Sequence, residues 1–392
     1  MKKRFTLSLF IFFCLVYLFS WTTPVFAEEN VYDKLNDTVE NQLKAIDWKG
    51  LQAFLEECGN EEYDLLNGSV LDKVKQILSG ELTADASTFL QFVFSALFSR
   101  LKNLLPVIIG IAVVCIFSGL VDKTKCNLLN NSTSGLISFF CFATVLMLLL
   151  AGVWNLLETA KNTIFMVKRL SNLAMPILLT FMAATGATTS AKVYSPAVAL
   201  LSEGVTEIVA NVVMPMFIFS VVFSVISNLS SEIKLEKLST FFKNLSSWIL
   251  GITFTVFTGF LAVQGLTAST IDGISIRAAK FATKTYIPIL GGYLADGFDL
   301  ILASCVLIKN SLGVVVLLIL LSVVLAPVFS IVVFNLGLQL ICALTEPIAD
   351  PKIIKFLTDI GKNLTILLVS VLAVTFMLFI MVMLIIFSAN LL

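Results

Sequence analysis

The chain has 392 residues, 58% hydrophobic and 13% charged, with a formal net charge of zero and a mean hydropathy of +0.97. Soluble domains carry about a quarter charged residues, so this chain is solvated largely by lipid, and its neutral balance gives no reason to expect nucleic acid. It contains no histidine, which excludes histidine acid–base chemistry and histidine metal ligands.

Residues 1–27 have the form of a secretory signal. Lys2, Lys3 and Arg4 precede an apolar core, Pro24 breaks the helix, and Val25-Phe26-Ala27 supplies the small residues for cleavage after Ala27. An uncleaved anchor is the alternative, and in either case the following segment is translocated. That segment, 28–88, holds 14 acidic residues against five lysines, which suits an extracytoplasmic domain. Val31, Leu35, Val39, Leu43 and Ile46 recur at helical spacing, as do Val70, Val74, Ile77 and Leu78, with Asn67-Gly68-Ser69 marking a turn between them. A helical domain this small is marginal alone and should rest on the membrane part or on a partner. Residues 89–157 then predict an interfacial amphipathic helix and two spans, at 104–121 and 135–157, joined by a loop carrying Lys123 and Lys125.

Two further units, 158–268 and 269–392, read as an internal duplication. Pro176 and Pro288 stand 112 positions apart, as do Pro215 and Pro327. Each unit opens with a basic amphipathic stretch: Lys161, Lys168 and Arg169 in the first, Arg277, Lys280 and Lys284 in the second. A short proline-led segment, a longer apolar segment with its own proline, and a polar connection follow. The connections match at Lys243-Asn244-Leu245 and Lys362-Asn363-Leu364, and a last span closes each unit. The segment after Pro176 is apolar but too short to cross a bilayer, and Gly186, Gly291 and Gly292 interrupt the two short segments. Paired broken segments of this kind point to a central pathway in transporters, whereas the simpler reading is a kinked helix at a helix contact. Six firm spans are expected, plus these two segments, which either span or re-enter. Their behaviour decides whether the copies are inverted or parallel.

Charges within apolar segments are the remaining candidates. Glu203, Glu207 and Asn211 form one stripe at i, i+4, i+8, and Asp296 and Asp299 stand at i, i+3. A carboxylate at the bilayer centre costs about 2.5–3.5 kcal/mol, while each large apolar residue returns about 0.3–0.6, so the glutamates lie near an interface or against protein. At the 112 offset the second unit has Val315, Ile319 and Val323, so the stripe is not repeated. Gly251, Thr255 and Gly259 form a small-residue row suited to helix packing. The seven cysteines are scattered, without a C-x-x-C pair; Cys58 stands alone in the external region with no local disulfide partner, and the others read as small apolar fillers of helix interfaces. No P-loop, G-x-S-x-G or H-E-x-x-H occurs, so no catalytic residue, metal or cofactor is expected and the chain is not read as an enzyme. The expected fold is an all-α polytopic membrane protein of about six to eight transmembrane helices behind a small external helical domain.

The run from Phe257 through Gln264-Gly265, Asp272-Gly273-Ile-Ser-Ile-Arg277 and Lys280-Phe281, closing on Ile287-Pro288-Ile289-Leu290-Gly291-Gly292, resembles the stage III sporulation protein AE family of endospore-forming bacteria. The resemblance extends over nearly the whole chain; Ile289-Leu290 departs from an expected valine pair. It implies a multi-pass protein of the mother-cell membrane around the forespore. Its partners would be the other stage III sporulation A-operon proteins, including a cytoplasmic ATPase and ring-forming subunits, and indirectly the forespore stage II sporulation protein Q. The implied function is a membrane core subunit of a channel or secretion-like complex. A self-sufficient secondary transporter is the competing expectation, suggested by the duplication.

Overall fold

A chain that enters lipid must satisfy its backbone hydrogen bonds internally, and long apolar runs do so as helices. The computed structural model describes residues 29–59, 69–79, 86–124, 131–229, 235–286 and 291–388, and among them it is helical apart from short turns. Three short helices come first: α1 (Glu29–Lys44), α2 (Lys49–Gly59) and α3 (Val70–Leu78). Six long ones follow: α4 (Ala86–Thr124), α5 (Asn131–Ala184), α6 (Thr188–Leu229), α7 (Glu236–Tyr286), α8 (Gly291–Thr345) and α9 (Pro351–Ser388). The six long helices each contain a stretch long and apolar enough to cross a membrane. The protein is thus an all-α polytopic membrane protein.

The long helices run up and down. At one end the chain turns between α4 and α5, α6 and α7, and α8 and α9; at the other it turns between α5 and α6 and between α7 and α8. Lysines crowd the first end, where Lys355 meets Glu236 at 2.7 Å. The short helices sit toward the second. Arg169 of α5 reaches Glu57 of α2 at 2.8 Å and lies 5.5 Å over the Phe54 ring, while Ser304 of α8 donates to Gln42 of α1 at 3.2 Å. The acidic domain does rest on the membrane helices, as its size requires. Val39, Leu43, Val70 and Val74 are buried, agreeing with the helical spacing in the sequence, and α2 adds Leu51, Phe54 and Leu55.

The core is one continuous apolar cluster in which α8 is central, packed against α4, α5, α7 and α9. Ile319 and Phe334 of α8, Leu149 and Val153 of α5, and Val374 and Leu378 of α9 are buried there. Close approach is set by glycine at Gly119, where an added Cβ would run into the Ile348 carbonyl, and at Gly152, where it would meet the Phe334 ring at 2.6 Å. Large apolar side chains also cover the outside of α4 and α5, including Phe94, Phe98, Val113, Phe140 and Met147. An apolar surface around an apolar core is what a lipid solvent selects.

Several expectations need correction. The Pro176 segment is neither a separate span nor a re-entrant loop: Pro176 lies inside α5, which continues to Ala184. At about 1.5 Å per residue the 54 residues of α5 reach roughly 80 Å, far beyond a hydrocarbon layer of about 30 Å, so the segment is the far end of a helix already begun. Among the described residues six helices meet the length and apolarity of a span, within the expected six to eight. Residues 89–102 belong to α4, which runs unbroken through Pro106. A proline removes a single backbone bond, and helices this long retain the bonds on either side. Pro327 likewise lies within α8. Pro215 sits just after a π-helical turn, Val209–Val213, in a helix that is otherwise continuous. Widening the turn relieves the clash between the proline ring and the carbonyl of Asn211. Gly251, Thr255 and Gly259 face outward on α7, with open space beside both glycines, so among the described residues no helix packs on the row. Residues 1–28, with the signal-like segment, and 287–290, with Pro288, lie outside the described residues.

Candidate functional site

Three polar junctions interrupt the apolar structure. The first is the tip between α5 and α6. The chain turns at Thr185 and Gly186, and Gly186 has φ 87°, a left-handed conformation that only glycine adopts without strain. The tip is closed by Asp272 of α7, 2% exposed, whose two carboxylate oxygens accept from the backbone N–H groups of Thr189 (2.9 Å) and Ser190 (2.8 Å). These N–H groups belong to the first turn of α6 and have no partner within the helix, so a carboxylate from a neighbouring helix caps it. Burial pushes the Asp272 pKa up. The hydroxyl and amide groups of Ser190 and Thr189 together outweigh that effect and hold the carboxyl below its usual range. Asp272 was legible only as part of a family motif; the Thr-Thr-Ser run after Gly186 was the unused signal for its partner.

The second junction is the predicted stripe on α6. Lys168 of α5 bonds Glu203 at 2.7 Å and Glu207 at 3.4 Å, and Asn211 donates to the other Glu207 oxygen. The stripe coincides with two π-helical stretches, Leu200–Val205 and Val209–Val213. The glutamate side chains remain 63% and 55% exposed and point away from the core, whereas Ser202 beside them turns inward to Ser171 at 3.1 Å. Glu207 and Glu203 stand 13 and 17 residues from Ser220, about 20 and 25 Å along the helix at ~1.5 Å per residue. At the 112 offset, Val315 and Ile319 are buried on the central helix α8, where a carboxylate would have no water.

The third junction lies at the lysine-rich end, where α6, α7 and α9 meet. Ser239 Oγ donates to the Ser220 carbonyl at 2.8 Å, and Ser220 Oγ lies 3.1 Å from Asn363 Oδ1. Lys362 pairs with Asp359 at 3.2 Å. The Lys-Asn match between the two polar connections had marked this region without indicating its geometry.

The remaining candidates fall elsewhere. Gly291 and Gly292 open α8, and Asp299 is half-buried one turn beyond Asp296. One buried cation escaped the sequence reading altogether. Lys309, fully buried in α8, donates to the carbonyls of Ile385 (2.9 Å) and Ile386 (3.0 Å), the last turn of α9. Its signal was a lysine standing alone in the most apolar helix. Cys115, Cys141 and Cys305 are buried within the helix packing and Cys342 is half-buried. Among the described residues no group of His, Cys, Asp and Glu could hold a metal ion.

The model of the family described as "Stage III sporulation protein AE" matches residues 69–389. A relative of that description from Bacillus subtilis (strain 168) is 24% identical over 356 residues, covering 90% of this chain and 88% of its own. No solved structure matches the chain.

Proposed function

Because the chain belongs to the stage III sporulation protein AE family, we propose that it is the integral membrane core subunit of a transenvelope channel or secretion-like complex that supports the engulfed forespore. The observation that carries this reading is the outward direction of the Lys168–Glu203–Glu207–Asn211 stripe. A protein that moved solute alone through its own bundle would turn its carboxylates inward. Here the described space between α4, α5, α8 and α9 is filled by buried apolar side chains, and the charged groups look outward, as in a subunit completed by neighbours. The partners in this reading are the other A-operon proteins, with the cytoplasmic ATPase driving transport and the ring-forming subunits meeting stage II sporulation protein Q across the intermembrane space. The sequence's lack of a P-loop is consistent with energy supplied by a partner.

In this reading the end carrying Lys237, Lys243, Lys352, Lys355 and Lys362, opposite α1–α3, faces the cytoplasm, and the acidic domain is extracytoplasmic in the mother-cell membrane; the acidic surplus of residues 28–88 supports it. We read the duplicated halves as parallel copies, since α6 and α8 both descend from the same end.

The test is site-specific photo-crosslinking in sporulating cells from positions 200, 203 and 207, with position 153 in the core as a control. Cross-links to another operon-encoded subunit from the stripe, and none from the core, are expected. Solute accumulation by the purified protein alone in vesicles, abolished by Glu203→Gln with Glu207→Gln, would refute the reading in favour of a self-sufficient transporter.

A further inference from the structure

At the lysine-rich end, α6, α7 and α9 enclose a cleft of about 70 Å³. Glu236 and Lys243 of α7 line it, as do Asp359, Lys362 and Asn363 of α9. Its charges are not equally engaged. Glu236 is held by Lys355 at 2.7 Å and Asp359 by Lys362 at 3.2 Å, while Lys243 forms no ion pair among the described residues. The lining holds two cations and two carboxylates, but Glu236 is engaged by Lys355 from outside the cleft, which leaves Lys243 without an ion-pair partner of its own among the described residues. Asn363 is 3% exposed, and its Nδ2 is buried without a hydrogen-bond partner, although its Oδ1 meets Ser220. A buried amide donor left unmade is unfavourable, so the cleft is short of an acceptor as well as of a negative charge.

The surroundings identify the kind of molecule that carries both. Lys243 and Lys362 are the last charged residues before uncharged runs of 28 residues (244–271) and 30 residues (363–392), which places the cleft at the boundary between head groups and hydrocarbon. Above it, at helical spacing from Lys243 and Lys362, the surface of α7 and α9 is apolar. Gly251 has open space beside it, Val369 is exposed, and Phe254 stacks on Phe376 at 5.9 Å. A polar cleft continuing into an apolar track at this depth matches a phosphate ester with an acyl chain.

We propose that the cleft binds the phosphate of an anionic phospholipid, with Lys243, Lys362 and the Asn363 amide donating to its oxygens and one acyl chain lying along α7 and α9. Lys243 supplies the charge that is not already neutralised, so binding depends on it most. Bound there, the lipid adds a tie among three helices whose polar junction is made by Ser220, Ser239 and Asn363.

The experiment is native mass spectrometry of the full-length protein in detergent, titrated with phosphatidylglycerol, phosphatidylcholine or inorganic phosphate. One phosphatidylglycerol is expected to remain on the protein, to bind about tenfold more weakly to Lys243→Gln for loss of one charge-assisted bond, and to bind normally to Lys243→Arg and to Lys237→Gln, outside the cleft. Lys362→Gln, at an exposed position, tests the same point if Lys243→Gln does not purify. Equal retention by wild type and these variants overturns the proposal, as does equal binding of phosphatidylcholine. Displacement of the lipid by millimolar phosphate points to a free-anion site, and absence of any lipid adduct on wild type to a protein occupant; either result also overturns it.

Discussion

Replacing Asp272 tests how the tip of the molecule is held. The carboxylate is 2% exposed and accepts from two backbone N–H groups at 2.8–2.9 Å. In Asp272→Ala both donors lose their acceptor in a site with little access to water, at about 1–3 kcal/mol each, and the first turn of α6 loses a facing negative charge. Allowing for partial relaxation, the expected cost is about 2–4 kcal/mol, confined to the tip. Amide hydrogen exchange at Thr189 and Ser190 reads this directly and should accelerate roughly 30- to 900-fold at ~1.4 kcal/mol per decade. Asp272→Asn keeps one acceptor and should fall between. The pH dependence has a definite sign. Because the folded carboxyl is held below its usual range, its stabilisation is complete above the unfolded value of about 3.9 and is lost as pH falls through the folded value. Wild-type protection should therefore fall in acid below about pH 4, and the Asn variant should lack that step. Unchanged exchange in Asp272→Ala would show that the cap contributes nothing and that the tip is held by packing alone.

Gly186→Ala forces an L side chain into φ 87° and should cost about 1–2 kcal/mol, seen as faster exchange at the turn with little change in the helices below it. Lys309→Ala removes the donor to the Ile385 and Ile386 carbonyls and leaves a cavity, so the end of α9 should fray. A cysteine placed at Ser388 then labels faster, whereas unchanged labelling refutes the clamp. Arg169→Ala loses the Glu57 pair and the stacking on Phe54. Both groups of the ion pair are partly exposed, so solvent screening limits the effect to about 1 kcal/mol. It should loosen α2 from α5, measured as faster proteolysis between residues 59 and 69 with α4–α9 intact.

Helix positions were legible because hydropathy is local: each of the six long helices carries its apolar run within its own sequence. The prolines misled for a related reason. Propensity marks Pro176, Pro215 and Pro327 as interruptions, yet continuity depends on whether the rest of a long helix supports the missing bond, which a window around the proline does not reveal. Of the polar positions, the Glu203–Glu207–Asn211 spacing was visible, but Lys168, which neutralises it, lies 35 residues upstream of Glu203 on another helix.

Composition and pattern alone determined that this is a helical membrane protein with an acidic leading domain, and the Asp272-Gly273 motif tied it to its family, because those properties belong to short stretches of chain. Only the tertiary structure decided that α8 is central and α6 peripheral. That placement buries Val315 and Ile319 while leaving Glu203 and Glu207 facing outward. It also decided which distant groups meet. Asp272 reaches Ser190 across 82 positions and Lys309 reaches Ile385 across 76, pairings set by how the helices pack and by the high cost of leaving buried polar groups unpaired.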